Sequence, residues 1–177
     1  NIEVSRVVKV AAGILVIGVA IVLGFGLHHD NPLSRDVVVD SLWVKKSDRI
    51  MVAYSKGRAV KTYDVALGEA PVGDKVMEGD RRTPEGHYRI FAKTTESRFH
   101  MNLGVSYPDS SDRAQAQAQG YQPGGDIKIH GLHNALWFLG RYHRLTDWTA
   151  GCIAVTNDEI EELYHAVPVG TPITIEP

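Results

Sequence analysis

Residues 37–67 read VVVDSLWVKKSDRIMVAYSKGRAVKTYDVAL. Three runs rich in Val, Leu, Ile and Tyr (37–45, 49–55 and 59–67) are separated only by Ser47-Asp48 and Lys56-Gly57. Short β-branched and aromatic runs with two-residue punctuation predict an antiparallel meander, not helices. Further along, residues 86–93 predict a strand, and residues 126–131 (DIKIHG) alternate cleanly. In such a strand Ile127 and Ile129 face one side while Lys128 and His130 face the other. Residues 152–155 and 171–175 predict two more short strands. Helices come late: one over 134–144 carrying Trp137 and Phe138 inward, and one over 158–167 capped by Asn157. Acids in the first turn of that second helix complement its dipole, and Glu159, Glu161 and Glu162 form its expected solvent face. Residues 68–84 are loop-rich. Residues 94–125, with Pro108, Pro123, Gly120, Gly124 and Gly125, read as a long binding loop with room for one short helix. The expected architecture is a mixed, β-rich α+β domain with one or two short helices late in the chain.

Composition narrows the partners. Nineteen Lys and Arg against 21 Asp and Glu leave a net charge of −2, which gives no basic excess for nucleic acid. Hydrophobic residues at 44% and charged residues at 23% describe a globular chain. One cysteine among 177 residues excludes an internal disulfide framework and a zinc site built on paired thiolates.

From Val10 to Leu27 no residue is charged, and Arg6 and Lys9 precede the run. As a helix these 18 residues would span about 27 Å, near the thickness of a bilayer core. The expected organisation is therefore an N-terminal transmembrane anchor over 1–30, a polar linker over 31–36 and a catalytic domain over 37–177. A cleaved signal segment is the rival reading. The cationic flank stays on the cytoplasmic side, which sends the domain across the inner membrane to the cell envelope.

The lone Cys152 stands in TAGCIA (149–154), between a glycine turn and a β-branched strand. A thiolate that attacks a carbonyl needs a base nearby and N–H donors for the oxyanion. Gly151 permits a tight turn in which the amides of Gly151 and Cys152 converge. His130, displayed opposite the isoleucine face and followed by Gly131, is the leading base. His130, His133 and His143 with Asp126 or Asp147 form the competing arrangement, a metal site, and an inert buried thiol is the plain alternative.

Ile-His-Gly (129–131), then about twenty residues, then Thr-x-Gly-Cys-Ile (149–153) resembles the signature of YkuD-type L,D-transpeptidases. Residues 79–90, GDRRTPEGHYRI, resemble that family's GD-x-x-TP-x-G-x-Y segment. Ser106-Tyr107-Pro108 with Asp112, and residues 147–157, DWTAGCIAVTN, resemble its YafK-like branch. The resemblance implies a mixed β sandwich or barrel, with Cys152 as the nucleophile, a low-pKa thiolate ionised by the imidazole of His130, and His130 as general base. It implies the Gly131 backbone carbonyl as the acceptor that orients the imidazole, and the Gly151 backbone amide as an oxyanion donor. The implied substrate is the peptidoglycan stem peptide, with a murein-linked lipoprotein as a further partner and no cofactor or metal. Arg81, Arg82, His100, Tyr107, Trp148 and Thr149 are the substrate-binding candidates, and Trp137 is expected in the core. Ala150 and Ala154 stand where many members carry His and Arg or Asn, which leaves the acceptor open. Hydrolysis at the same Cys152 and an inactive wall-binding module are the alternatives to transfer.

Overall fold

In the computed structural model, which describes residues 32–177, the opening meander forms β1 (Ser41–Lys45), β2 (Ile50–Ser55) and β3 (Arg58–Asp64). Its pairing is antiparallel, with Trp43 opposite Val52 and Met51 opposite Tyr63. Alternation along β1 buries Leu42 and Val44, the arithmetic expected of a strand with one face on the core. The remaining strands are β4 (Gly86–Ser97), β5 (His100–Val105), β6 (Lys128–His130), β7 (Ile153–Ala154) and β8 (Pro172–Glu176). Together they make an eight-stranded sheet of order β3-β2-β1-β8-β4-β5-β6-β7. Most pairs are antiparallel, while β1/β8 and β6/β7 are parallel.

The two ends of this sheet meet. Just past β3, Ala66 forms an antiparallel bridge with Ala154 of β7, with N–H···O distances of 2.9 and 2.8 Å. Gly68 pairs in parallel with Thr149. The curled mixed sheet thereby encloses one core that includes Leu42, Tyr63, Ile90, Leu103, Ile129, Ile153 and Leu163.

Two α-helices flank it: α1 (Ser110–Ala118) and α2 (Asn157–Ala166). The cap of α2 is Thr156, not Asn157. Its side chain accepts from the Glu159 amide while Glu159 reaches back to the Thr156 amide, the reciprocal capping arrangement. Glu159 and Glu162 do not form a solvent face: Glu159 is buried against Arg144, and Glu162 accepts from Lys61 at 2.6 Å. The helix also gives the domain a polarity. Its C-terminal residue Ala166 accepts from Val39, where the chain enters, whereas its N-terminus lies beside the His130–Leu132 backbone. Ten residues of α-helix, about 15 Å, separate the two ends.

Two further expectations fail. Residues 94–125 are not a loop: β4 runs on to Ser97, β5 follows after a short turn, and α1 occupies Ser110–Ala118. Trp137 and Phe138 do not point inward, being 66% and 62% exposed. The segment Trp137–Leu145 is a 3₁₀ helix broken at Gly140, whose φ of 46° and ψ of −130° leave no continuous apolar stripe. His143 is its buried residue. The apolar run over 10–27 lies outside the described residues. Among those described, no helix is long and apolar enough to cross a membrane.

Candidate active site

Strands β6 and β7 run parallel, with Ile129 opposite Ile153 and His130 opposite Ala154. Both isoleucines are fully buried. Carried back one residue, this register sets Lys128 beside Cys152. Lys128, His130, Cys152 and Ala154 therefore share one face of neighbouring strands. His130 and Cys152 are diagonal neighbours on it, with Cα atoms about 8 Å apart by strand spacing and rise. The Lys128 backbone N–H points at the Cys152 sulfur, and Sγ lies 3.7 Å from the Asp126 carbonyl.

His130 is buried, and its Nδ1 lies 2.7 Å from the Gly131 carbonyl oxygen. A carbonyl only accepts, so Nδ1 carries the proton and Nε2 presents its lone pair. Gly131 is itself held from behind. An added Cβ there would meet Asn157 Oδ1 at 2.7 Å, and that same oxygen accepts from the Leu132 amide at 2.8 Å. Asn157, read as a helix cap, instead braces the backbone on which the imidazole hangs.

The turn before Cys152 is equally tight. Thr149 is buried; its hydroxyl donates to the Cys152 carbonyl at 2.7 Å and accepts from the Gly151 amide at 3.1 Å. Gly151 has φ +130° and approaches the Arg82 carbonyl so closely that a Cβ would sit 2.7 Å from it. On the other side, the Thr149 amide donates to Leu67 and Glu69 donates back to Thr149. Asp147 accepts from the Leu67 amide and from Arg49, which fixes the start of the turn. The buried Thr83 hydroxyl accepts from the Gly68 amide. Lys46, 2% exposed, ties Gly73, Thr83 and Glu85 together with three bonds of 2.7–2.8 Å.

Burial governs the electrostatics. It pushes the Cys152 thiol above its ordinary value; the Lys128 N–H opposes this, Asp126 reinforces it, and the Lys128 and Lys75 charges oppose it. Burial likewise holds His130 below its ordinary value against the Gly131 carbonyl, which favours the protonated ring. The expected low-pKa thiolate is thus not the resting form. Both shifts favour a neutral thiol beside a neutral imidazole.

Other candidates fall in several places. Trp148 packs edge-on against His130 with ring centroids 5.7 Å apart. Its indole N–H reaches His143 Nδ1 at 3.4 Å. Phe99, which the sequence did not single out, lies 4.7 Å from the His130 ring and 6.1 Å from Trp148. His100 lies beside Gly131, but its Nε2 is 2.7 Å from Glu161. Arg81 is exposed and paired with Glu69, while Arg82 donates to the Asp74 carbonyl. Their backbone carbonyls, not their guanidinium groups, are what meet Gly68 and Gly151. Tyr107 does not line a cleft; it is 5% exposed, packs edge-on to Tyr88 and donates to the Pro123 carbonyl. The metal arrangement is not assembled: among the described residues no group of three or more His, Cys, Asp or Glu is placed to hold an ion.

Comparison with known proteins identifies the family of this fold. YqjB of Bacillus subtilis, assigned as an L,D-transpeptidase, is 26% identical over 149 residues, covering 82% of this chain and 74% of its own length. YafK of Escherichia coli K12, assigned likewise, is 26% identical over 128 residues, 69% of this chain and 44% of YafK. The crystal structure of Pgp2, a helical cell shape determining protein of Campylobacter jejuni, superposes with a TM-score of 0.61 at 25% identity. That match covers 89% of this chain and 54% of Pgp2, so the chain spans about half the length of both Pgp2 and YafK. The family model for YkuD, the L,D-transpeptidase catalytic domain, matches residues 36–175. A chain matched over nearly all its described length, with the family's curled mixed sheet, belongs to the YkuD L,D-transpeptidase catalytic domain family.

Proposed function

We propose that the domain catalyses acyl transfer on peptidoglycan stem peptides through a thioester on Cys152. The observation that carries this reading is the His130 Nδ1–Gly131 bond on the face shared with Cys152. It leaves Nε2 as the one ring atom able to take the thiol proton. As Sγ attacks the carbonyl of the stem's third residue, the proton passes to His130 Nε2 and the carbonyl oxygen gains the negative charge. The Cys152 amide is the leading donor to that oxyanion. The Gly151 amide joins it only by leaving the Thr149 hydroxyl, to which it is bonded at 3.1 Å. Collapse breaks the C–N bond, and the imidazolium protonates the departing amine of D-alanine. An acceptor amine then attacks the thioester, gives its proton to His130, and releases the thiol. Starting from a neutral pair, charge separates only as the bond forms, where fixed dipoles stabilise it most. With the apolar run over 10–27 as an anchor, the domain would work on the outer side of the inner membrane.

Intact-mass spectrometry of the full chain in detergent with a synthetic stem tetrapeptide tests the reading. The expected result is an adduct on Cys152 with loss of D-alanine, absent in Cys152→Ala. Cross-linked dimers or exchanged D-amino acids as products indicate transfer, and free tripeptide indicates hydrolysis at the same cysteine. Parent and Cys152→Ala with equal turnover would overturn it.

A further inference from the structure

His143 is a costly residue where it stands. It is 5% exposed, its Nδ1 accepts from the Trp148 indole at 3.4 Å, and its Nε2 is buried with no partner among the described residues. Accepting at Nδ1 requires the proton on Nε2, so an N–H is left unsatisfied, at a cost of about 1–3 kcal/mol. A leucine or phenylalanine would fill the space without that cost. The return lies across the bond. Trp148, held by its N–H, packs edge-on to His130 at 5.7 Å and 68°, and Phe99 forms an adjoining wall at 4.7 Å. Phe99 and Trp148 also touch, at 6.1 Å, so the imidazole sits in a box with two aromatic walls. An indole freed of its anchor could rotate about χ2 and release that wall, whereas the N–H bond selects one orientation. Burial and the adjacent Arg144 charge push His143 down to about 3, which keeps the acceptor lone pair available at neutral pH.

We propose that His143 is a positioning residue for the acyl transfer. Its neutral Nδ1 locks the Trp148 indole, and Trp148 with Phe99 holds the His130 ring in the orientation that aims Nε2 at Cys152. The proposal rests on the reading of His130 and Cys152 as base and nucleophile.

The experiment is a double-mutant cycle on the full chain in detergent, measuring Cys152 acylation by the tetrapeptide and the indole and imidazole NMR resonances. His143→Leu and Trp148→Phe should each slow acylation by up to about tenfold, the net weight of one buried hydrogen bond. The double variant should be no slower than either single one, because both break the same link. His143→Asn, which keeps an acceptor near the Nδ1 position, should recover most of the loss, which a general packing defect would not allow. Additive losses, or His143→Asn no better than His143→Leu with folding intact, would overturn the proposal. Trp148→Phe leaves His143 in place and His143→Asn keeps a polar acceptor there, so these two decide the matter if His143→Leu fails to fold. The resonances separate this proposal from the one beneath it. Should the parent form no adduct at all, the acyl-transfer reading fails; Trp148 and His130 signals displaced in His143→Leu and restored in His143→Asn would still support the lock, and signals unmoved in His143→Leu would refute it.

Discussion

Replacing Gly151 with alanine tests whether the turn before Cys152 is built on the missing side chain. At φ +130° an L-residue is strained, at roughly 1–3 kcal/mol. The added Cβ would also lie 2.7 Å from the Arg82 carbonyl oxygen, with Ile127 at 3.3 Å. Arg82 belongs to a segment tied down by its own amide bond to Asp80, so its backbone must retreat by about 0.7 Å to reach ordinary contact. Such overpacking typically costs about 1–3 kcal/mol, so the sum expected is about 2–6 kcal/mol. Displacement of that size at the nucleophile predicts a loss of up to about 100-fold in acylation. Gly120→Ala is the control: φ is +75° there and nothing lies within 4 Å, so only the backbone strain remains. Urea midpoints and intact-mass acylation rates for the parent and both variants measure the two effects. Gly151→Ala with the parent's rate, or destabilised no more than Gly120→Ala, would refute the steric argument.

Other perturbations probe the supports and the charges. Lys46→Met should destabilise by about 3–5 kcal/mol in urea unfolding, because a 2%-exposed ammonium is removed from Glu85 and two carbonyls that keep their need for a donor. Folding stability should fall as pH drops from about 6.5 towards 3. His143 binds its proton only below about 3 when folded but near 6.5 when unfolded, so the unfolded state gains protons first across that window. Burial lowers the His130 pKa as well, which adds in the same direction. His143→Phe should flatten this acid sensitivity, seen as a smaller difference in urea midpoint between pH 7 and pH 5. Lys128→Met removes a positive charge that lowers the Cys152 pKa, so iodoacetamide at pH 8 should label the variant more slowly than the parent.

What the chain announces, and what it conceals, follows from how each segment is buried. Residues 126–131 are legible because the strand has one core face, which writes period-two alternation into the sequence. Residues 100–105 are not: His100 and Met101 are half-buried and the next four fully buried, so HMNLGV carries no alternation. The helix at Ser110–Ala118 buries only Asp112 and Ala116, and its AQAQA stretch alternates with the wrong period. Its start is instead written in Asp109 and Asp112, which cap each other across the first turn. Trp137 and Phe138 look like core by composition, yet a dihedral break at Gly140 decides their exposure. Within the site, Cys152, His130 and the glycines stand out by chemistry and spacing. Phe99 and Asn157 do not, because their roles arise from a hairpin turn and a helix start that meet His130 only in three dimensions.

The same folding-in explains why the ionised sulfur expected from the sequence gives way to a neutral one. Proximity of an imidazole lowers a thiol's pKa only when the resulting ion pair is better solvated than the neutral pair. Here the imidazole is buried under Phe99 and Trp148, the ladder places it diagonally from the sulfur, and Asp126 adds a like charge beside the thiolate. Each of these favours the uncharged forms. The groups that favour the anion are the Lys128 amide, fixed by the β5–β6 ladder, and the lysine charges, both already paired: Lys75 with Asp80 and Lys128 with Asp126. A nucleophile arranged in this way gains its charge together with the bond it forms. The rate then depends on how well His130 is aimed, more than on how much thiolate is present at rest, and that dependence gives the aromatic box around His130 its chemical importance.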